Sequence, residues 1–151
     1  MNQTNPYILR CTSCGTKNRI PAEKIGQPAA CGKCGASIDT TVLNVDSPLV
    51  VTDSTFADQV LHSPLPVLTD CWAPWCGPCQ MMGPVMDQLA AEWKGKIRIC
   101  KINVDENPAI ANRYQIRSIP TLLIFDKGQL QNSLTGALPR HSIVQAMKAY
   151  L

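Results

Sequence analysis

Val67-Leu68-Thr69-Asp70-Cys71-Trp72-Ala73-Pro74-Trp75-Cys76-Gly77-Pro78-Cys79 joins a mostly apolar run to a Cys-x-x-Cys pair. The run, Val67 to Trp72, predicts a central strand of a parallel or mixed sheet. Behind it, Met82, Val85, Met86, Leu89 and Trp93 keep a 3.6-residue period, which predicts a helix from Cys76 to about Lys94. Pro84 lies inside that helix and is expected to kink it near Gln80. Cys76 therefore stands at a helix N-terminus, where free N–H groups and the dipole favour an anion. The thiolate is the attacking form of cysteine. With Cys76 as N-cap, Cys79 is the third helical residue, and its N–H and thiol both face the Cys76 sulfur. Pro78 has no N–H and stiffens the turn, so dithiol and disulfide can share one backbone. Two intervening residues bring the sulfurs within bonding reach, as a redox couple requires. A half-site for metal would need a second pair nearby, and this part of the chain has none.

Working outward, Leu49-Val50-Val51 reads as a short strand. Thr52 or Asp53 then caps a short helix with Phe56, Val60 and Leu61 on one face, broken at Ser63-Pro64-Leu65-Pro66. Ile97 to Val104 is the next strand, and Asn107 caps a helix that starts at Pro108 and reaches Tyr114. Ile119-Pro120 leads into a strand over 121–125, Asp126-Lys127-Gly128 turns the chain into a strand over 129–134, and 139–151 closes as a helix with Ile143, Met147 and Tyr150 inward. This order predicts an α/β fold, a mixed central sheet flanked by helices.

Two further pairs, Cys11-Thr-Ser-Cys14-Gly15 and Cys31-Gly-Lys-Cys34-Gly35, stand sixteen residues apart in a polar stretch without apolar periodicity. Their spacing is that of a zinc ribbon. Cys11, Cys14, Cys31 and Cys34 would give one structural Zn²⁺ a closed tetrahedral thiolate site. Gly15 and Gly35 suit knuckle turns with positive φ, whose N–H groups can bond the sulfurs. Rubredoxin-like iron and two extra redox disulfides are the alternatives. The division expected is a zinc ribbon over 1–40, a linker over 41–48 and a second domain over 49–151.

The chain has 151 residues, 45% apolar and 17% charged, enough for one sizeable core. Residues 1–44 hold five basic side chains against Glu23 and Asp39, so the whole excess of +3 lies there. A divalent ion on four thiolates lowers that module to about +1. No nucleic-acid surface is read from so small an excess. Met1 to Arg10 shows no export leader, and no apolar stretch reaches membrane-spanning length. A cytoplasmic chain is expected, in which eight cysteines are ligands, catalytic thiols or buried hydrophobes. Cys71 and Cys100 belong to the last group. His62 and His141 are read as solvated.

Trp72-Ala73-Pro74-Trp75-Cys76-Gly77-Pro78-Cys79 resembles the active-site signature of the thioredoxins, the family usually taken to illustrate a redox Cys-x-x-Cys. Ser118-Ile119-Pro120-Thr121 resembles their cis-proline loop, and Gly136-Ala137 their late glycine loop. The match covers about 45–151, and the front pairs narrow it to the zinc-containing thioredoxin 2 type. The resemblance implies the thioredoxin fold and no bound organic cofactor. Asp70, a costly carboxylate in an apolar strand whose burial raises its pKa, becomes the acid that takes the proton of Cys79, and Lys101 the lysine beside it. Gly77 and Pro78 support the redox pair. Trp75, Ile119, Pro120, Gly136 and Ala137 form the surface on which substrates dock in extended form. The residues alone argue for a trans Ile119–Pro120 bond; the resemblance implies cis. Cys71 stands where the family commonly carries a Phe.

The function so read is that of a monomeric protein-disulfide reductase, with disulfide-containing proteins as targets and a thioredoxin reductase as electron donor. Two rivals stand beside it. One is a disulfide oxidase or isomerase on the same fold; the other is a metal-responsive module in which the ribbon recruits a partner.

Overall fold

A computed structural model describes residues 7–151. The expected absence of an export leader falls partly on 1–6, outside the described residues. Two antiparallel hairpins come first: β1 (Tyr7–Arg10) with β2 (Lys17–Ile20), and β3 (Ala29–Ala30) with β4 (Ser37–Ile38). They precede a five-stranded mixed sheet of β5 (Leu49–Val50), β6 (Val67–Trp72), β7 (Arg98–Asn103), β8 (Thr121–Asp126) and β9 (Gln129–Thr135), in the order β5-β7-β6-β8-β9. The apolar run from Val67 to Trp72 is the middle strand. It pairs parallel with β7 and antiparallel with β8, and five of its six residues are buried.

Three α-helices accompany the sheet: α1 (Gly77–Glu92), α2 (Pro108–Arg113) and α3 (Arg140–Met147). Side chains alternate across a strand, so the sheet carries two cores. Leu68, Ile99, Leu122 and Ile124 meet Met82, Met86 and Leu89 of α1 and Ile143 and Met147 of α3. On the other face Val67, Cys71, Cys100, Ile102, Leu123 and Phe125 meet Phe56, Val60 and Ile110. Rings of Phe56, Tyr114 and Phe125 pack with centroids 5.3 to 5.6 Å apart. The 126–128 turn has positive φ at Lys127 and Gly128, as a tight hairpin requires. β9 is an edge strand without a charged residue. One of its own side chains closes part of the edge, where Ser133 N–H donates to Asn132 Oδ1 at 2.8 Å.

Two local expectations are corrected. The segment after β5 is a turn followed by a π-helical turn over Ala57–Leu61, with no side-chain cap. Asp53 caps α2 instead: its carboxylate accepts the N–H groups of Ala109 (3.1 Å) and Ile110 (2.9 Å). Asn107 is the N-cap of α2 by position but makes no cap bond; it accepts the Asp53 N–H at 2.8 Å and donates to the Asn103 carbonyl. An anionic acceptor at a helix N-terminus is favoured over an amide, so Asp53 takes the helix and Asn107 ties the two segments together.

The front hairpins have a small apolar cluster of their own. Leu9, Ile20, Ile38, Val42 and Leu43 surround Cys11 and Cys31 and close on Leu65, which precedes β6. Val42 and Leu43 lie in a 3₁₀ turn over Thr41–Asn44, so the stretch expected as a bare linker contributes two buried side chains. Arg10 forms an ion pair with Asp126 at 2.7 Å, both largely shielded from solvent. Arg10 N–H donates to the Pro64 carbonyl. The Tyr7 ring lies so close to Gly95 that a Cβ there would stand 2.6 Å from Tyr7 Cε1. These contacts all meet the sheet where β6 begins and β8 ends.

Asp53→Ala should lower stability by about 1–2 kcal/mol, the usual worth of an N-cap. Urea unfolding of the two proteins measures the difference, and an unchanged midpoint would remove Asp53 from the α2 cap.

Candidate active site and metal centre

The sharp turn after β6 sets the chemistry. Cys76 has extended backbone (φ −89°, ψ 108°) and is the N-cap of α1, with Pro78 inside the first turn. Its Sγ accepts the Cys79 N–H at 3.1 Å. The two cysteines are joined as a disulfide with Cα atoms 5.3 Å apart, and both are buried. Neighbouring Trp75, Gly77 and Pro78 are exposed, Trp75 by 70%. Trp75 does not hang free: its Nε1 donates to Asp105 Oδ2 at 2.8 Å, and Asp105 N–H donates to Asn103 Oδ1. Gln80 Nε2 donates to the Pro74 carbonyl at 2.7 Å. Sequence reasoning missed Asp105 and Gln80. Their partners lie 30 and 6 residues away, and nothing local marks them.

Strand register gathers the other expected residues at the same end of the sheet. Cys71 pairs with Thr121, and Thr121 with Thr135, so Trp72, Pro120 and Gly136 end three adjacent strands. Ile119–Pro120 is cis, as the resemblance implied and the residues alone did not. Gly136, with φ 98°, donates its N–H to the Pro120 carbonyl at 2.8 Å. Ile119 is half-buried and Ala137 exposed.

Asp70 is fully buried on the sheet face that α1 covers, and neither carboxylate oxygen has a hydrogen-bond partner. Burial raises its pKa to about 6, with Lys101 pulling the other way. Lys101 is its register partner on β7, but the ammonium lies over the Trp72 ring, 5.1 Å from the centroid. Its effect on Asp70 is therefore Coulombic, without an ion pair. On the opposite face, burial pushes the Cys71 and Cys100 thiols up to about 12. They are inert beside Cys76.

The four front cysteines form a second centre. Cys11, Cys14, Cys31 and Cys34 place their sulfurs within 4.8 Å of one another, with Cys11–Cys34 and Cys14–Cys31 at 3.6 Å. A tetrahedral ion with metal–sulfur bonds of about 2.3 Å needs sulfurs about 3.8 Å apart. The donor set thus fits a structural metal. The two knuckles repeat each other. Ser13 and Lys33 donate N–H bonds to Cys11 Sγ and Cys31 Sγ, both at 3.4 Å. Gly15 and Gly35 have φ 78° and 77° and bond the carbonyls of Cys11 and Cys31. Backbone N–H groups of Cys34 and Lys33 pull the Cys31 thiol down to about 6, whereas Cys34, beside the other three thiols, is raised to about 11. Asn18, also unmarked in the sequence, joins the knuckles: it donates to the Thr16 carbonyl and accepts the Gly32 N–H.

Comparison with known proteins agrees with both centres. Residues 47–149 match the thioredoxin family, and residues 10–36 match the family described as thioredoxin 2, N-terminal. Thioredoxin 1 of a Nostoc species is 52% identical over 101 residues, which is 67% of this chain and 94% of that protein. The thioredoxin of a Synechocystis species is 48% identical over the same shares. Thioredoxin M4 of Arabidopsis thaliana, a chloroplastic protein, is 40% identical over the full 151 residues and 75% of its own length. The chain therefore belongs to the thioredoxin family, a thiol-disulfide oxidoreductase whose redox pair is Cys76–Cys79, fronted by the ribbon module of the thioredoxin 2 type.

Proposed function

We propose that this protein-disulfide reductase divides its work among named residues as follows. The Cys76 thiolate attacks a target disulfide. The target S–S bond breaks, a Cys76–target bond forms, and the first target sulfur leaves and takes up a proton. Cys79 then attacks the Cys76 sulfur while Asp70 accepts its proton, and the second target sulfur leaves. Two electrons have passed to the target, and the Cys76–Cys79 disulfide is returned to the dithiol by a thioredoxin reductase. The observation that carries this assignment is the Cys79 N–H donated to Cys76 Sγ at the head of α1. That N–H stabilises a thiolate on Cys76 in the reduced form, which is the attacking species.

Asp70 suits the base because a carboxyl with pKa about 6 is ionised near neutral pH yet still basic enough to take a proton. Lys101 limits the rise by its charge. Pro78 and Gly77 leave the approach to Cys76 open. Trp75, held by Asp105, forms the docking surface with Ile119, Pro120, Gly136 and Ala137. The ribbon is assigned to 1–40, the linker to 41–48 and the thioredoxin domain to 49–151. Cys11, Cys14, Cys31 and Cys34 hold one zinc ion per chain, which closes the ribbon and takes no part in electron transfer. A cytoplasmic setting is proposed, in which the four front cysteines serve as ligands and not as a disulfide frame. No helix is long and apolar enough to cross a membrane among the described residues. A monomer is proposed.

Cys76→Ser should abolish insulin-disulfide reduction, whereas Cys79→Ser should capture targets as mixed disulfides that persist on non-reducing gels. Substantial turnover by the Cys76 variant would overturn the assignment of the nucleophile.

Asp70→Asn has a signed pH signature. The carboxyl titrates near 4 unfolded and near 6 folded, so the native state binds the extra proton between those values. Stability of the parent protein therefore falls as pH rises from about 4 to about 6 and stays lowered above that. The variant should be more stable by up to about 3 kcal/mol above pH 6 and gain nothing below pH 4. Near neutral pH its resolution step should be slower by roughly tenfold or more. Chemical unfolding across pH and single-turnover kinetics read the two effects; equal stability at pH 8 would place the carboxyl in water.

Chelation of the full chain should release one zinc per chain by native mass spectrometry. The dispersed amide signals of the ribbon should collapse while those of 49–151 persist. Dispersed ribbon signals without metal, in reductant, would refute a metal-dependent fold.

A further inference from the structure

The docked ribbon and the thioredoxin domain share a cleft that the disulfide chemistry leaves unused. It measures about 640 Å³, within the size range of small-ligand sites. A third of its lining comes from the ribbon and the rest from the thioredoxin domain, with Tyr7, Tyr150, Pro64 and Pro66 supplying ring surface. Five cations line it: Arg10, Lys17 and Arg19 from the ribbon, Lys96 and Lys127 from the domain. Arg10 is taken by Asp126. The other four have no carboxylate within ion-pair distance among the described residues, whose ion pairs are Arg10–Asp126, His62–Asp58 and Arg140–Glu92. Even a terminal carboxylate at Leu151, which also lines the cleft, leaves three of those four charges uncompensated.

The position makes this more than a solvated face. The whole chain carries a net charge of only +3, yet these four cations come together across an interface. Lys17 and Arg19 come from the ribbon and Lys96 and Lys127 from the domain, so gathering them in one cleft brings like charge together across the junction. An anion between them reverses that sign. Multiply charged oxyanions match Lys and Arg donors best, and the tyrosine and proline walls suit a planar ring.

We propose that this cleft binds a small phosphorylated ligand of nucleotide size, held by Lys17 and Arg19 of the ribbon and Lys96 and Lys127 of the domain. The site lies where β6 begins, and Cys76 follows where β6 ends. Six residues of strand put roughly 20 Å between them. Occupancy therefore leaves disulfide reduction untouched, and the ligand acts by fastening the ribbon to the domain.

Isothermal titration of the full zinc-loaded chain with ADP, and separately with pyrophosphate, tests the proposal at 0.15 M salt. Saturable binding of one ADP per chain is expected, with pyrophosphate weaker if the tyrosine walls hold the ring and equal if the phosphates alone are read. Lys17→Gln with Arg19→Gln, and Lys96→Gln with Lys127→Gln, should each weaken binding by about tenfold, the worth of a charge-assisted hydrogen bond. Lys94→Gln, exposed and outside the cleft, should not. Amide spectra show that each variant is folded, and insulin reduction should stay at the parent rate. Absence of saturable binding by either probe overturns the site. So does a loss as large in Lys94→Gln, which would mean diffuse attraction, and a loss confined to one pair would overturn the shared cleft.

Discussion

Everything in the larger domain depends on β6 being paired on both sides, over Val67–Trp72 with β7 and over Val67–Cys71 with β8. A strand hydrogen-bonded to β7 and β8 and covered on both faces has a fixed register, because a slip of one residue would exchange its two faces. That register places Asp70 toward α1 and Cys71 away from it. It sets Thr121 beside Cys71, which delivers Pro120 to the strand end where Cys76 caps its helix. It also fixes where the opposite end of the sheet meets the ribbon, through Leu65, Pro64 and Asp126. The redox pair and the ribbon contacts thus occupy the two ends of one strand.

The chain runs one spacing, Cys-x-x-Cys, in two backbones. At Cys76 the first cysteine is extended and the second lies in a helix, so one N–H points at one sulfur and the partner thiol is within bonding reach. In the knuckles the turn ends in a glycine with positive φ, and the N–H groups converge on Cys11 and Cys31 while the four sulfurs face a common centre. Exposed N–H donors lower the cost of a sulfur anion in both. What differs is whether the nearest sulfur is one partner or three. Cys71 and Cys100 show the third outcome, sulfur among apolar side chains with no donor, where the thiol stays protonated.

Local pattern carried most of the fold into view. The central run, the helical period of Met82 to Trp93, the hairpin at Lys127-Gly128 and both kinds of cysteine pair depend on residues close in sequence, and each was readable. The cis state of Pro120 came from family resemblance alone, since residue chemistry favours the other isomer. What stayed hidden is long-range. Asp53 caps a helix more than fifty residues ahead, Asp105 holds Trp75, and Leu65 completes a cluster whose other members precede residue 44. For α2 the local rule named a reasonable partner, Asn107. The closed fold then supplied a better one, a full charge in place of an amide dipole.

The edge strand β9 bears on how the molecule behaves in crowded or salty solution. Most proteins guard an open sheet edge with lysines, whose repulsion fades as ions accumulate. Here the guard is an amide: Asn132 Oδ1 occupies the N–H of Ser133, so a passing strand must first displace a bonded side chain. Carboxamides neither titrate nor attract counterions. The edge therefore keeps the same protection from dilute buffer to high ionic strength, and the chain's colloidal stability is uncoupled there from its modest net charge.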